Sequence, residues 1–325
     1  MRTVSDIGER GLIKLAYEIY KEHDESVDLT DDCSVIPLGN EYILASSDMI
    51  SEKTHIPGGM TPWQIGWFVT SVNLSDIAAK GGSPLGVLLS FGLPRSYPEL
   101  SFLDVIKGAS SCATKFDTSI IGGDTKEHEY LVISGTALGK VKQDCFMSRR
   151  GAQPGDVVVV TGHLGKAAIG FHLLKEGIKT SSVNALCEPI PRVFEGMILA
   201  ETKKVHCCMD ISDGLSSSLY QLSELNNVGF EIERESLPLS SELQHFSKKD
   251  SSLDMFHLGL HYGGDYELLF TTDKESIPLL RESLDQFKTP LRVIGNVTVE
   301  KDIVLRTGLE RQEPLLNQGY EHFSR

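Results

Sequence analysis

The chain has 325 residues, 40% hydrophobic and 23% charged, the balance of a folded globular protein with room for two domains. Lys and Arg number 31 against 45 Asp and Glu, a formal net charge of −14. That acidity excludes a general binder of nucleic acid or anionic membranes, which needs a basic footprint. The N-terminus lacks the apolar stretch of a signal peptide, no run is long enough to span a bilayer, and the six cysteines form no Cys-x-x-Cys pair. The cysteines read as buried thiols in a reducing cytosol. His206 has no second ligand at zinc spacing and reads as structural.

An amphipathic helix is predicted over 5–22, carrying Ile7, Leu12, Leu15 and Ile19 and opened by Ser5 or Asp6. Asp31 and Asp32 sit in a turn before a strand. A turn with two exposed carboxylates is the plain reading, and it suits one of the two. Gly39-Asn40 makes a hairpin turn into a strand over 42–47, which runs into Ser46-Ser47-Asp48. His55 lies in a Gly/Pro-rich loop. Thr61, Pro62 and Gln64 have the spacing of a capping box with proline at the first helical position. Ile65, Phe68, Val69 and Val72 give that helix one buried face, and Gly81, Gly82 and Pro84 end it. Near its end stand Asn73 and Asp76, one turn apart among small apolar residues. A carboxylate there needs a partner or a cation. An Asp76–Lys80 pair on a solvated face is the simplest partner.

A strand is predicted over 85–93 and a helix over 102–115. A short strand over 118–121 ends in Gly122-Gly123-Asp124-Thr125, and a returning strand covers 130–138. The paired glycines allow a backbone to approach a ligand closely; a hairpin loop with a turn aspartate is the alternative. The polar stretch from Arg149 to Asp156, with its Gly and Pro, divides the chain into 1–148 and 149–325. A strand over 157–160 follows, and Thr161 to Lys166 opens a helix, without P-loop spacing. A strand over 205–211 leads into Asp210-Ile211-Ser212-Asp213-Gly214 and a leucine-lined helix. Taken alone, Asp213 reads best as the N-cap of that helix. Gly263-Gly264-Asp265-Tyr266-Glu267 turns into a strand, and 291–299 is the last clear strand.

Aspartates therefore recur where apolar segments end. Five or six carboxylates share a site only with cations, and oxygen ligands select Mg²⁺ or Ca²⁺. With Gly122-Gly123 and a charge clamp from Arg149 or Arg150, this suggests ATP-dependent phosphoryl transfer. Retaining glycosidase chemistry needs only two acids and gives no reason for Gly-Gly-Asp.

Taken in order, Asp31-Asp32-Cys33-Ser34-Val35, Ser46-Ser47-Asp48, Asn73-Leu74-Ser75-Asp76-Ile77-Ala78-Ala79, Gly122-Gly123-Asp124-Thr125, Arg149-x-Gly-Ala-x-Pro-Gly-Asp156, Asp210-Ile211-Ser212-Asp213-Gly214-Leu215 and Gly264-Asp265-Tyr266-Glu267-Leu268 resemble the thiamine-monophosphate kinase family. That family lies within the superfamily of aminoimidazole-ribonucleotide synthetase-like ATP enzymes. The resemblance covers nearly the whole chain. It implies a two-domain α+β fold, with an N-terminal α/β domain that joins a second copy in a dimer sheet or barrel and a C-terminal α+β domain. It implies direct phosphoryl transfer from ATP to thiamine monophosphate in the cytoplasm. Several Mg²⁺ ions would be held by Asp32, Asp48, Asp76, Asp124, Asp210 and Asp213, helped by Ser46 and Ser47. Gly122, Gly123, Asp124, Arg149 and Ser212 would contact ATP; His55, Asp265 and Tyr320 would contact the thiamine substrate. Three positions depart from the family pattern: Thr30 stands where Gly usually precedes the Asp pair, Lys80 where Met is common, and Gly264 where Glu often stands between Gly263 and Asp265. The rivals are another synthetase of the superfamily, of selenophosphate or aminoimidazole-ribonucleotide type, and a non-catalytic Mg²⁺-binding homologue.

Overall fold

The computed structural model describes residues 2–24, 29–308 and 311–323. Helix α1 (Glu9–His23) starts later than predicted, because Asp6 accepts from Thr3 and closes a separate 3₁₀ turn over Val4–Asp6. Its apolar residues Ile13, Leu15, Ile19 and Tyr20 remain exposed, and none of its residues is fully buried.

The N-terminal half builds an open five-stranded sheet from β1 (Ser34–Leu38), β2 (Glu41–Ser51), β3 (Ser83–Leu93), β4 (Ile120–Glu127) and β5 (Val132–Lys142), in the order β1-β2-β5-β3-β4. Helices α2 (Pro62–Ala79) and α3 (Glu99–Lys115) belong to this half. The expected hairpin at Gly122–Thr125 is not formed. α3 carries the chain across the sheet, so β4 lies parallel to β3, and β5 inserts between β2 and β3. Gly122-Gly123-Asp124-Thr125 is therefore part of β4 itself.

The capping box of α2 forms as predicted: Gln64 N–H donates to Thr61 Oγ1 at 3.2 Å, and Gln64 Oε1 accepts from Thr61 N–H at 3.0 Å. Burial goes beyond one face, since 14 of its 18 residues are buried. A helix apolar on all sides is a core helix. α2 is held on its far side by the C-terminal half, where Pro189 O accepts from Trp67 Nε1 (2.9 Å) and Ser71 Oγ (2.7 Å).

In the second half follow β6 (Val157–Thr161), α4 (Lys166–Lys175), α5 (Ser181–Cys187), α6 (Val193–Thr202), β7 (Cys207–Asp210), α7 (Leu215–Asn226), β8 (Gly229–Glu233), α8 (Ser241–Lys249), α9 (Met255–His261), β9 (Leu268–Thr272), α10 (Ile277–Leu284), β10 (Leu291–Thr298), β11 (Ile303–Thr307) and β12 (Arg311–Pro314). They make a seven-stranded sheet, β12-β11-β8-β10-β6-β9-β7, in which only β11 and β8 pair in parallel. β8, β11 and β12 carry no strong pattern and extend the sheet beyond the strand expected to be last. The six cysteines are free, five of them buried. His206 bonds through Nδ1 to Asp156 at 2.9 Å, a structural contact. Among the described residues no helix is long and apolar enough to cross a membrane.

Candidate functional site

The turn before β1, strand β2, helix α2, the end of β7 and the turn before α7 bring their aspartates to one place. Carboxylate oxygens of Asp32, Asp76 and Asp210 all lie within 4.8 Å of one another. Side chains alternate along β2, so Ser46 and Asp48 face α2 and Ser47 faces away. Ser46 Oγ donates to Asp76 Oδ2, and the Asp48 carboxyl adjoins that of Asp76. Ser47 Oγ instead donates to Gly135 O at 2.9 Å, outside the cluster. Asn73 fixes the backbone of β2: its Oδ1 accepts from Asp48 N–H at 3.0 Å while its Nδ2 donates to Val69 O at 2.8 Å. Any Cβ at position 135 would stand 2.3 Å from Asn73 Nδ2, so Gly135 makes room for this side chain. Ser75 Oγ reaches from α2 to Asp210 Oδ2 at 2.6 Å, tying the two halves together at the cluster.

The charges are not balanced. Burial raises the Asp76 carboxyl well above the usual range, and Asp48, Asp210 and Asp32 push it further. Burial, then Asp32, pushes Asp210 up to about 7. Asp48 is raised by burial, and Asp213 rises to about 6 through burial and the nearby Glu9. Such a set of hard oxygen donors, short of positive charge, fits Mg²⁺.

Two cations do reach its inner edge. Lys80 does not pair with Asp76 on a solvated face. Its side chain is 0% exposed, with Nζ 2.5 Å from Asp31 Oδ1 and 2.7 Å from Asp32 Oδ2, and it donates to Cys208 O at 2.8 Å. Burial works against the Lys80 charge, but Asp32 and Asp31 outweigh it and hold the ammonium above the ordinary lysine range. The exposed-turn reading therefore fails for both Asp31 and Asp32. Of the two candidate arginines, Arg149 reaches the cluster: its Nε donates to Asp32 Oδ1 at 2.7 Å, and its Nη2 contacts the same oxygen. Arg150 is exposed and bonds Thr30 Oγ1 and Leu225 O.

The remaining predicted residues divide. Asp124 is exposed on β4, 3.3 Å from Lys126 Nζ, and opposite Ser90, which puts it on the sheet face turned away from α2. Gly122 and Gly123 are exposed beside it, and a Cβ on Gly123 would fall 1.7 Å from Leu89 O. Ser212 is exposed, and its carbonyl accepts from Gly264 N–H at 2.8 Å. Asp213 does not cap α7. The helix starts after Gly214, whose φ of 98° is a left-handed value suited to glycine, and no side chain caps it. Asp265 takes a role the sequence did not suggest: its carboxylate accepts from Gly165 N–H (2.5 Å) and Ala167 N–H (3.0 Å) at the start of α4. His55 and Tyr320 both border His322, with ring centroids 5.0 and 4.9 Å from it. Tyr320 N–H donates to Asp213 O at 3.1 Å, which sets this ring group beside the acids.

Two neighbours escaped the sequence reading. His322 joins the ring group but sits in a tail without periodicity. Tyr266 has a φ of 49°, uncommon for a bulky residue, and burial and the nearby Asp48 and Asp210 raise its phenol well above the usual range. Its place next to a Gly-Gly turn was the available signal.

Comparison with known proteins agrees over the full length. The family of AIR synthase related proteins matches through its N-terminal domain over residues 30–141 and its C-terminal domain over 153–308. The thiamine-monophosphate kinase of Methanospirillum hungatei JF-1 is 36% identical over 293 residues, 90% of this chain and 93% of that protein. That of Archaeoglobus fulgidus is 33% identical over 323 residues, 98% of this chain and 99% of its own. A solved structure described as AaThiL complexed with AMPPCP and TMP superposes with a TM-score of 0.86 at 28% identity, covering 99% of both chains.

Proposed function

The chain belongs to the thiamine-monophosphate kinase family of AIR synthase related proteins, and on that premise we propose that it transfers the γ-phosphoryl group of ATP to thiamine monophosphate, directly and in line. One observation carries this reading: buried carboxylates from both halves of the chain converge without matching positive charge. Asp32, Asp76 and Asp210, with Asp48 and Asp213 beside them, would hold Mg²⁺. Bound there, Mg²⁺ would neutralise two polyanions as they approach each other.

The chain's own groups supply position. Ser46 and Ser75 orient Asp76 and Asp210, and Asn73 fixes the Asp48 backbone. Arg149 and the Gly122-Gly123 backbone would meet the ATP phosphates, with Ser212 at the positive end of α7. His55 and Tyr320 would hold the thiamine rings, while Asp265 acts from behind by fixing the start of α4. The accepting phosphate oxygen is already anionic, so no general base is required. We assign 1–148 and 149–325 as the two domains and place the protein in the cytoplasm. A second copy would cover the outer face of the five-stranded sheet, where Ile36, Leu38 and Met49 are exposed. Asp124 and Ser47 lie on that face, so their share in Mg²⁺ binding would depend on the dimer.

The test is ADP release from Mg-ATP with and without thiamine monophosphate, with products identified by mass. Thiamine diphosphate should form only when both substrates are present. ADP formed equally without the acceptor, or no turnover at all, would sink the reading.

A further inference from the structure

The two cations at Asp32 differ in how firmly they are held. Lys80 has no exposed surface and is fixed by three oxygens, those of Asp31, Asp32 and Cys208. Asp31 is itself held by Ser148 Oγ at 2.9 Å and by the Arg149 N–H at 3.1 Å. Lys80 thus sits enclosed in an ion pair with Asp32 Oδ2, 2.7 Å away. Arg149 engages the other oxygen, Oδ1. Its side chain is 18% exposed, and its other hydrogen bond among the described residues is from Nη1 to the neutral Gln221 Oε1 at 3.0 Å. Its backbone is pinned at both ends, by N–H to Asp31 and by the carbonyl that accepts from Asn226 Nδ2 at 2.9 Å. A rotation of the side chain would leave both of these backbone contacts in place.

Among the described residues, the side-chain hydrogen bonds to Asp76 and Asp210 come from the neutral hydroxyls of Ser46 and Ser75. Of the three converging carboxylates, Asp32 alone is bonded to an arginine, and it is bonded through one oxygen.

From this asymmetry we infer that Arg149 is a placeholder at Asp32 Oδ1. It holds that oxygen while no nucleotide is bound and releases it when a polyphosphate draws the guanidinium away, which couples divalent-cation binding at Asp32 to nucleotide binding. The inference rests on the reading that nucleotide phosphates approach Arg149. Its chemistry is an exchange of partners. The arginine fork matches phosphate as well as it matches carboxylate, so a polyanion can compete for it, whereas nothing competes for the enclosed Lys80. Each movement keeps charges paired: Arg149 trades a carboxylate for a phosphate, and Asp32 trades a guanidinium for a divalent cation.

The experiment is Mn²⁺ binding to the full chain by electron paramagnetic resonance, for the unaltered protein, Arg149→Gln and Arg149→Lys, each with and without AMPPCP. Without nucleotide, Arg149→Gln should bind Mn²⁺ about tenfold more tightly, because a competing positive charge has gone. Arg149→Lys, which loses the fork but keeps the charge, should fall between. The gain in Mn²⁺ affinity on adding AMPPCP should shrink in Arg149→Gln. Unchanged or weaker nucleotide-free binding in Arg149→Gln would overturn the inference. Should that variant fail to fold by circular dichroism, Arg149→Lys decides by the same criterion. Absence of Mn²⁺ binding in every form, with and without AMPPCP, would instead sink the metal-and-nucleotide reading of the site.

Discussion

Asp210 and Glu267 are buried carboxylates on neighbouring strands, one ending β7 and the other just preceding β9, yet their surroundings are opposite. Glu267 accepts from Arg192 Nε and Nη2, both at 2.6 Å, and from Thr161 Oγ1 at 2.9 Å, with Lys166 at 3.8 Å. Burial would raise its carboxyl, but Arg192 outweighs burial and keeps it below the usual range. Asp210 has one serine donor and acidic neighbours, and it is raised to about 7. Burial of an acid therefore does not mark a working site. A shortage of counter-charge does, because that instability persists only where something else is to be bound.

The comparison predicts opposite penalties, and the largest is in turnover. Asp76→Asn should lower kcat on the order of a thousandfold or more through lost charge stabilisation. Its metal-free melting temperature should hold or rise, since a repelled charge is gone. A variant that melts lower and turns over normally would break the contrast. Glu267→Ala should do the reverse, destabilising the fold by about 3–5 kcal/mol by leaving Arg192 buried and unpaired. Denaturant titration reads this, and no change in midpoint would contradict it.

The third prediction concerns pH. Asp210 titrates near 7 when folded and near 3.8 otherwise, so the folded chain holds the extra proton. That contribution is full below about pH 4 and is lost as pH rises through about 7, on the order of 4 kcal/mol in all. Metal-free protein should melt at a higher temperature at pH 5.5 than at pH 8, and Mg²⁺ should stabilise it more at pH 8. A flat metal-free profile would show that the cluster carries no unbalanced charge. The smallest effect tests the frame shared by both clusters. Thr61→Ala removes half of the capping box of α2 and should cost about 1 kcal/mol. The Mg²⁺ concentration for half-maximal activity should stay unchanged; a shift would mean that the cap also positions Asp76.

Much of this was legible along the chain. The capping box and glycine stop of α2, the valine run of β6 and the placing of aspartates where apolar segments end are local patterns, and local physics sets them. So are the seven motifs in order that carry the family likeness. Partner choice was not legible, because it depends on which distant segments meet. Lys80 lies four residues from Asp76 on one helix, yet it pairs with Asp31 and Asp32, since the end of α2 is enclosed by the β1 turn and β7. Asp265, which the family likeness marks as a substrate contact, also caps a helix that begins about a hundred residues earlier in the chain, a bond no local pattern announces. β5 was expected to return beside β4 and instead lies between β2 and β3, because the α3 crossover fixes β4 parallel to β3. The sequence determined which residues would be acidic, apolar or helix-ending. Only the packing of the two halves around α2 decided which of those acids would be neutralised and which would be left to bind a cation.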